Sequence, residues 1–207
     1  MTNKNSTLEE VKEGDRLLVE PVYQMDFDPA AWKDLGPFLT DCYGYGLGLP
    51  FIGVNGLGNI SSAFEMSASP ETLTIESLKE KLAKRDGLQM LDNLPNDGSH
   101  VLAIFYGAKA AQGKPGYHCY CRNTNGLWSH LHSGGDCNNA DRLPTQTDFS
   151  GDPITDPHRA DRGAYNEFVG YAAIPYGGLL VRPKISLQIK DFPPLEKFTI
   201  RAIPLLL

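Results

Sequence analysis

From residue 100 onward the chain alternates short extended-type stretches with chain breakers, and this pattern constrains the fold more than any other feature. HVLAIFYG (100–107) is an apolar run rich in Val, Ile, Phe and Tyr, set between NDGS and GAKAAQGKPG. YHCYCRN (117–123) and LWSHLH (127–132) alternate in character, and TNG (124–126) joins them. Runs this short, bounded by Gly, Pro, Asn and Asp, read as strands, and the second pair reads as a β-hairpin. FVGYAAIP (168–175), LLVRPKISLQI (179–189) and FTIRAIPLLL (198–207) extend the series. The chain therefore ends in a mostly antiparallel sheet.

The first half is mixed. RLLVEPVY (16–23) reads as a short strand interrupted by Pro21, behind an acidic lead-in whose first dozen residues are expected to be loosely held. FLTDCYGYGLGLPFIGVNGLGNI (38–60) carries repeated Gly and a central Pro50, so it cannot sustain a long helix. The clearest helix is IESLKEKLAKRD (75–86). Thr74 stands as its N-cap, Ile75, Leu78 and Leu82 share one face, and Gly87 stands just past its end. The expectation is one α+β domain over residues 1–207, with 133–163 as a long loop excursion made of turn and breaker residues.

Composition removes several classes of function. The net charge is −6 and no Lys/Arg cluster is present, which argues against nucleic acid as a partner. No apolar run approaches the ~18 residues of a membrane helix, so no membrane partner is expected. The opening MTNKNSTLEEVKEGD has no apolar signal region. A cytoplasmic protein, or one exported by a non-classical route, is the expectation. Four Cys are too few for a disulfide scaffold and are taken as free thiols.

HCYCRNTNGLWSHLHS (118–133) concentrates three of the five histidines and two of the four cysteines. On a strand, Cys119 and Cys121 share one face while His118, Tyr120 and Arg122 share the other. A zinc reading can be assembled from Cys119, Cys121, His130, His132 and Cys137. Its weakness is C-x-C on a flat strand, where the C-x₂₋₄-C knuckle of structural zinc sites is missing. A thiol nucleophile instead needs a base, and the base needs a group that orients it. His118 and His130, on neighbouring strands of one hairpin, suit base and orienter; His132 or Asn123 are rivals for the third place. Cys42, behind Thr40 and Asp41 as possible helix caps, suits the nucleophile. His100 is a rival base whose commoner role at a strand start is capping, and His158 belongs to the loop. G-x-G-x-G at 44–48 is no phosphate cradle, because no strand precedes it and no Lys follows. The Asp-rich excursion lacks the EF-hand pattern of a calcium loop.

Asp41-Cys42-Tyr43-Gly44-Tyr45 resembles the D-C-S-G-F/L nucleophile motif of the NlpC/P60 papain-like peptidases. VLAIFY (101–106) is similar to that family's D-L-V-F-F strand. His118 and His130 match its catalytic His opening one strand and a third polar residue opening the next. The resemblance covers about 40 residues, and Tyr43 stands where the family usually has Ser. It implies a papain-like fold with a nucleophile helix packed on an antiparallel sheet. It also implies a thiol hydrolase, a cysteine peptidase or amidase, with Cys42, His118 and His130 as catalytic residues and no cofactor or metal. The substrate it implies is a peptide or other amide such as a peptidoglycan stem peptide. CHAP-type amidases and papain-like acyltransferases share this logic, so acyl transfer is a related outcome. Tyr43, Tyr45, Tyr120 and Trp128 are expected as substrate-binding aromatics of the cleft wall. A zinc-stabilised interaction module and a catalytically inactive papain-like binding domain are the alternatives.

Overall fold

The structure, a computed structural model, describes residues 10–11, 16–19, 24–33, 41–48, 73–111, 113–131, 143–175, 178–181, 187–188 and 200–203. In chain order the elements begin with strands β1 (Glu10–Val11) and β2 (Arg16–Val19), then helices α1 (Ala30–Lys33), α2 (Cys42–Gly46) and α3 (Ile75–Glu80). A π-helical turn over Lys81–Arg85 leads into β3 (Gln89–Leu91), β4 (Val101–Ala111), β5 (Lys114–Arg122) and β6 (Trp128–Ser129). β7 (Glu167–Ala173), β8 (Leu179–Val181), β9 (Leu187–Gln188) and β10 (Ile200–Ile203) follow.

The main body is a five-stranded antiparallel sheet in the order β3-β7-β4-β5-β6. Together with the helices it makes the α+β class. β2 is flanked by β8 and β10 in a second sheet, and β1 pairs with β9 in a third. β4 reads as an unbroken apolar run because both faces of the sheet are covered. Leu102, Ile104, Cys119 and Cys121 pack with Tyr43, Tyr45, Leu78 and Leu82 on the helix side. Val101, Ala103, Phe105, Tyr120 and Trp128 pack with Ile154 on the other, beneath the 143–165 excursion.

Three local expectations change. The helix from residue 75 starts as expected, with Thr74 and Ser77 forming a reciprocal capping box, but after Glu80 it widens into the π turn. Gly87, at φ +74°, then ends it in a conformation that disfavours a Cβ. The hairpin turn is where TNG placed it: Asn123 accepts from the Gly126 N–H, and Gly126 has φ +84°. The strand after it, however, is shorter than 127–132. His130 exchanges both backbone hydrogen bonds with Thr145, at 3.0 and 2.9 Å, so its partner is the excursion rather than β5. The stretch 179–189 yields two short strands in different sheets, with Pro183, which has no N–H to give, between them in sequence. Most of residues 1–12, together with His132, Cys137 and the first part of the excursion, lies outside the described residues.

Candidate functional site

Helix α2 has only five residues, two of them Gly, which is too little for a helix to hold itself together. Its position comes from what grips it. Asp41 caps the first turn, accepting from the N–H groups of Tyr43 at 3.0 Å and Gly44 at 2.8 Å. Burial pushes the Asp41 carboxyl above its ordinary value, against the pull of those two amides. Tyr43 Oη donates to Asp86 at 2.9 Å, tying α2 to the end of the π turn. Tyr45 Oη and Ser129 Oγ bond at 2.7 Å, tying it to β6. The carbonyl of Gly46 accepts from His100 Nε2 at the start of β4. Gly46 also lets the helix settle: a Cβ there would lie 2.3 Å from Leu102 Cδ2 in the packed core. Cys42, the first residue of α2, is buried, with Cys119 of β5 as a neighbour. Burial pushes the Cys119 thiol well up, and the contact with Cys42 adds to this.

The histidine pair is set by the register of the hairpin. Cys121 pairs with Ser129 and Arg122 with Trp128. Strand geometry then places His118, Tyr120 and His130 together on the face opposite to Cys119 and Cys121. His118 Nε2 and His130 Nδ1 stand 2.7 Å apart, and His130 Nε2 lies 3.0 Å from the carbonyl oxygen of Thr147. A carbonyl can only accept, so His130 carries its proton on Nε2 and, while neutral, accepts at Nδ1. His118 therefore donates from Nε2, and its neutral ring has its lone pair on Nδ1. The main chain of the excursion thus fixes the tautomer of both rings.

Tyr165, at the end of the excursion, stacks on His118 with ring centroids 5.1 Å apart and planes inclined by 30°. Its phenol is pushed up to about 12, chiefly by burial and then by the neighbouring Cys42. The Tyr120 phenol is also raised, by burial first, with Cys42 adding to it. Cys42 is thus an electrostatic neighbour both of two rings that pack on the His118 side and of Cys119 on the helix side.

The excursion is a built structure. Asp148 accepts from the N–H groups of Ser150, Asp152 and Asp161 at 2.9, 3.0 and 2.8 Å. Arg162 donates to the carbonyls of Ala160 and Tyr165 and lies 4.4 Å over the ring of Phe105, fastening the loop to β4. Gly107 permits the close approach, since a Cβ there would lie 2.2 Å from the carbonyl oxygen of Ala164. Phe149, exposed at 47%, stands 6.3 Å from the ring of His130.

Of the residues singled out in the sequence, His118 and His130 are brought together. Asn123 is turned elsewhere, donating to the Met25 carbonyl and accepting from Gln146. His132 lies outside the described residues. Tyr43, Tyr45, Tyr120 and Trp128, expected along a cleft wall, are each at most 3% exposed and pack in the core. The reason is that α2 is covered all round and both sheet faces are packed. His100 is likewise buried, spent on Gly46, and His158 is an exposed loop residue 3.0 Å from Tyr171 Oη. Strand alternation separates Cys119 and Cys121 from His130, and no cluster able to hold a metal occurs among the described residues. Tyr165, Thr147 and Ser129 had no signal of their own in the sequence.

No protein-family model matches the chain, and no solved structure matches it. Among curated proteins it is similar to "Insoluble matrix shell protein 1" of Ruditapes philippinarum, at 39% identity over 90 residues. That stretch is 44% of this chain and 53% of the relative, so the match spans about half of that protein.

Proposed function

We propose that the chain is a cysteine-dependent amide hydrolase of papain-like type. The observation that carries the reading is the run from His118 Nε2 to His130 Nδ1 and from His130 Nε2 to the Thr147 carbonyl. It holds a base in one tautomer, with Nδ1 as the nitrogen that takes a proton, on the strand that also carries the neighbour of Cys42. Supporting it are the resemblance of Asp41–Tyr45 and of the His118 to His130 spacing to NlpC/P60 peptidases. The name of the Ruditapes philippinarum relative speaks of a shell matrix and of no reaction.

In this reading His118 Nδ1 takes the proton of Cys42, and the thiolate attacks an amide carbonyl. Asp41 already occupies the N–H groups of Tyr43 and Gly44, so the N–H of Cys42 is the backbone donor assigned to the oxyanion. His118 passes its proton to the leaving amine, and water resolves the thioester. His130 keeps the ring of His118 in orientation throughout. Peptidoglycan stem peptides are the substrate class to try first.

The test is the alkylation rate of Cys42 by iodoacetamide against pH, read by mass spectrometry in wild type and His118→Ala, alongside hydrolysis of stem peptides. A Cys42 that outpaces the other thiols at mildly acidic pH and loses that lead without His118 supports the reading. A Cys42 that behaves alike in both proteins overturns it and leaves a binding domain.

A further inference from the structure

Cys42, Cys119 and Cys121 are all buried free thiols, and two of them share one contact. Helix α2 packs on β5 at Cys119: a Cβ built at Gly46 would lie 3.7 Å from the Cβ of Cys119, beside the Leu102 side chain of β4. One turn earlier on the same side of the helix is Cys42, whose thiol neighbours that of Cys119. Cys121 is engaged differently, with its Sγ 3.3 Å from Ser129 Oγ.

We propose that Cys42 and Cys119 are a reactive pair that closes to a reversible disulfide when the protein meets a peroxide. The two sulfurs are unequal. Cys42 is 3% exposed and Cys119 fully buried, so a small oxidant reaches Cys42 first. Burial keeps the proton on Cys119, which makes it the resolving thiol rather than the first to react. In the first step the Cys42 sulfur attacks one oxygen of hydrogen peroxide, the O–O bond breaks, and Cys42 becomes a sulfenic acid while the departing hydroxide takes up the Cys42 proton as water. In the second, the Cys119 sulfur attacks the Cys42 sulfur, the S–O bond breaks, and the departing hydroxide takes up the Cys119 proton as water. Two thiols are oxidised by two electrons, one peroxide is reduced, and two waters result. Closure removes the Cys42 thiol and staples α2 to β5. The inference lies beyond amide hydrolysis and does not need it.

The test exposes the full chain to hydrogen peroxide, blocks remaining thiols with N-ethylmaleimide, digests without reductant and maps linked peptides by mass spectrometry. The expected result is a Cys42 to Cys119 linked peptide, with the loss of two hydrogens per chain, reversed by dithiothreitol. In Cys119→Ser the link is lost and dimedone traps the sulfenic acid on Cys42, whereas Cys121→Ser keeps the link. Recovery of Cys42 in the wild type as a free thiol, as an unlinked sulfinic acid, or joined to Cys121 or Cys137 overturns the proposal. The wild-type map decides the matter even if a variant fails to fold.

Discussion

Tyr45 and Ser129, 84 positions apart, share a buried 2.7 Å hydrogen bond that joins the helix starting at Cys42 to the strand leading into His130. Neither residue belongs to the proposed chemistry, yet each lies within one turn or one residue of a group that does. The two sides of the candidate site are therefore aligned through the core and not through the site itself.

Tyr45→Phe tests that link. The ring remains and only the hydroxyl is lost, leaving Ser129 with Cys121 as its partner. Urea unfolding should show a loss of about 1 kcal/mol, the usual magnitude for one buried hydrogen bond. Alkylation of Cys42 should become less dependent on His118. A variant as stable as wild type would mean that packing alone places α2.

The tautomer deduced for His118 can be read by ¹⁵N NMR. At a pH where both rings are neutral, His118 should show a protonated Nε2 and an unprotonated Nδ1. His130→Ala removes the acceptor and should give a mixture of both forms. If the protein is the proposed hydrolase, the same variant should lose about 10²–10⁴-fold in rate, the range for a displaced acid–base group. A wild-type His118 protonated on Nδ1 would contradict the chain of bonds that ends at Thr147.

His100 predicts a pH dependence. It is buried with Nε2 on Gly46, its Nδ1 has no hydrogen-bond partner among the described residues, and burial holds its pKa below the ordinary 6.5. The unfolded chain therefore binds the proton first as pH falls. The contribution is complete above about pH 6.5 and is lost as pH drops through that value toward the depressed one, at up to about 1.4 kcal/mol per pH unit for one proton. Denaturant unfolding at pH 7 and pH 5 should show the loss, and His100→Gln, which can still donate to Gly46, should show a smaller one.

Gly107→Ala should disturb the far side of the sheet. The new methyl meets the Ala164 carbonyl, a main-chain atom that cannot swing aside. The expected cost is about 1–3 kcal/mol, as for other overpacked sites. Because Ala164 precedes Tyr165, the ring-current shift of the His118 protons should also change. A shift unchanged in the variant would show that Tyr165 is held independently of Gly107.

What was legible in the sequence follows the range of the interactions. The hairpin was legible because TNG fixes the turn and a period of two then fixes the faces, which is why His118 and His130 could be paired from their spacing. The same alternation separated the cysteines from the histidines. The burial of Tyr43 and Tyr45 is not legible, because a five-residue helix has no polar face from which to infer an outer side, and its covering comes from residues as distant as Asp86, His100 and Ser129. The π turn was hidden because the period of Ile75, Leu78 and Leu82 suits either geometry at its buried positions. The excursion read as a loop from its composition, but the stacking of Tyr165 on His118 and the close approach of Ala164 to Gly107, nearly sixty positions away, are marked by nothing local.

Asp148 holds amides from both ends of its stretch of the excursion, those of Ser150 and Asp152 near at hand and that of Asp161 across the loop. A segment gathered at one carboxylate has no internal joint at that point. Phe149 sits inside that clasp, its own N–H given to the Asp161 carbonyl at 3.1 Å, so the exposed ring beside His130 stands on a fastened footing.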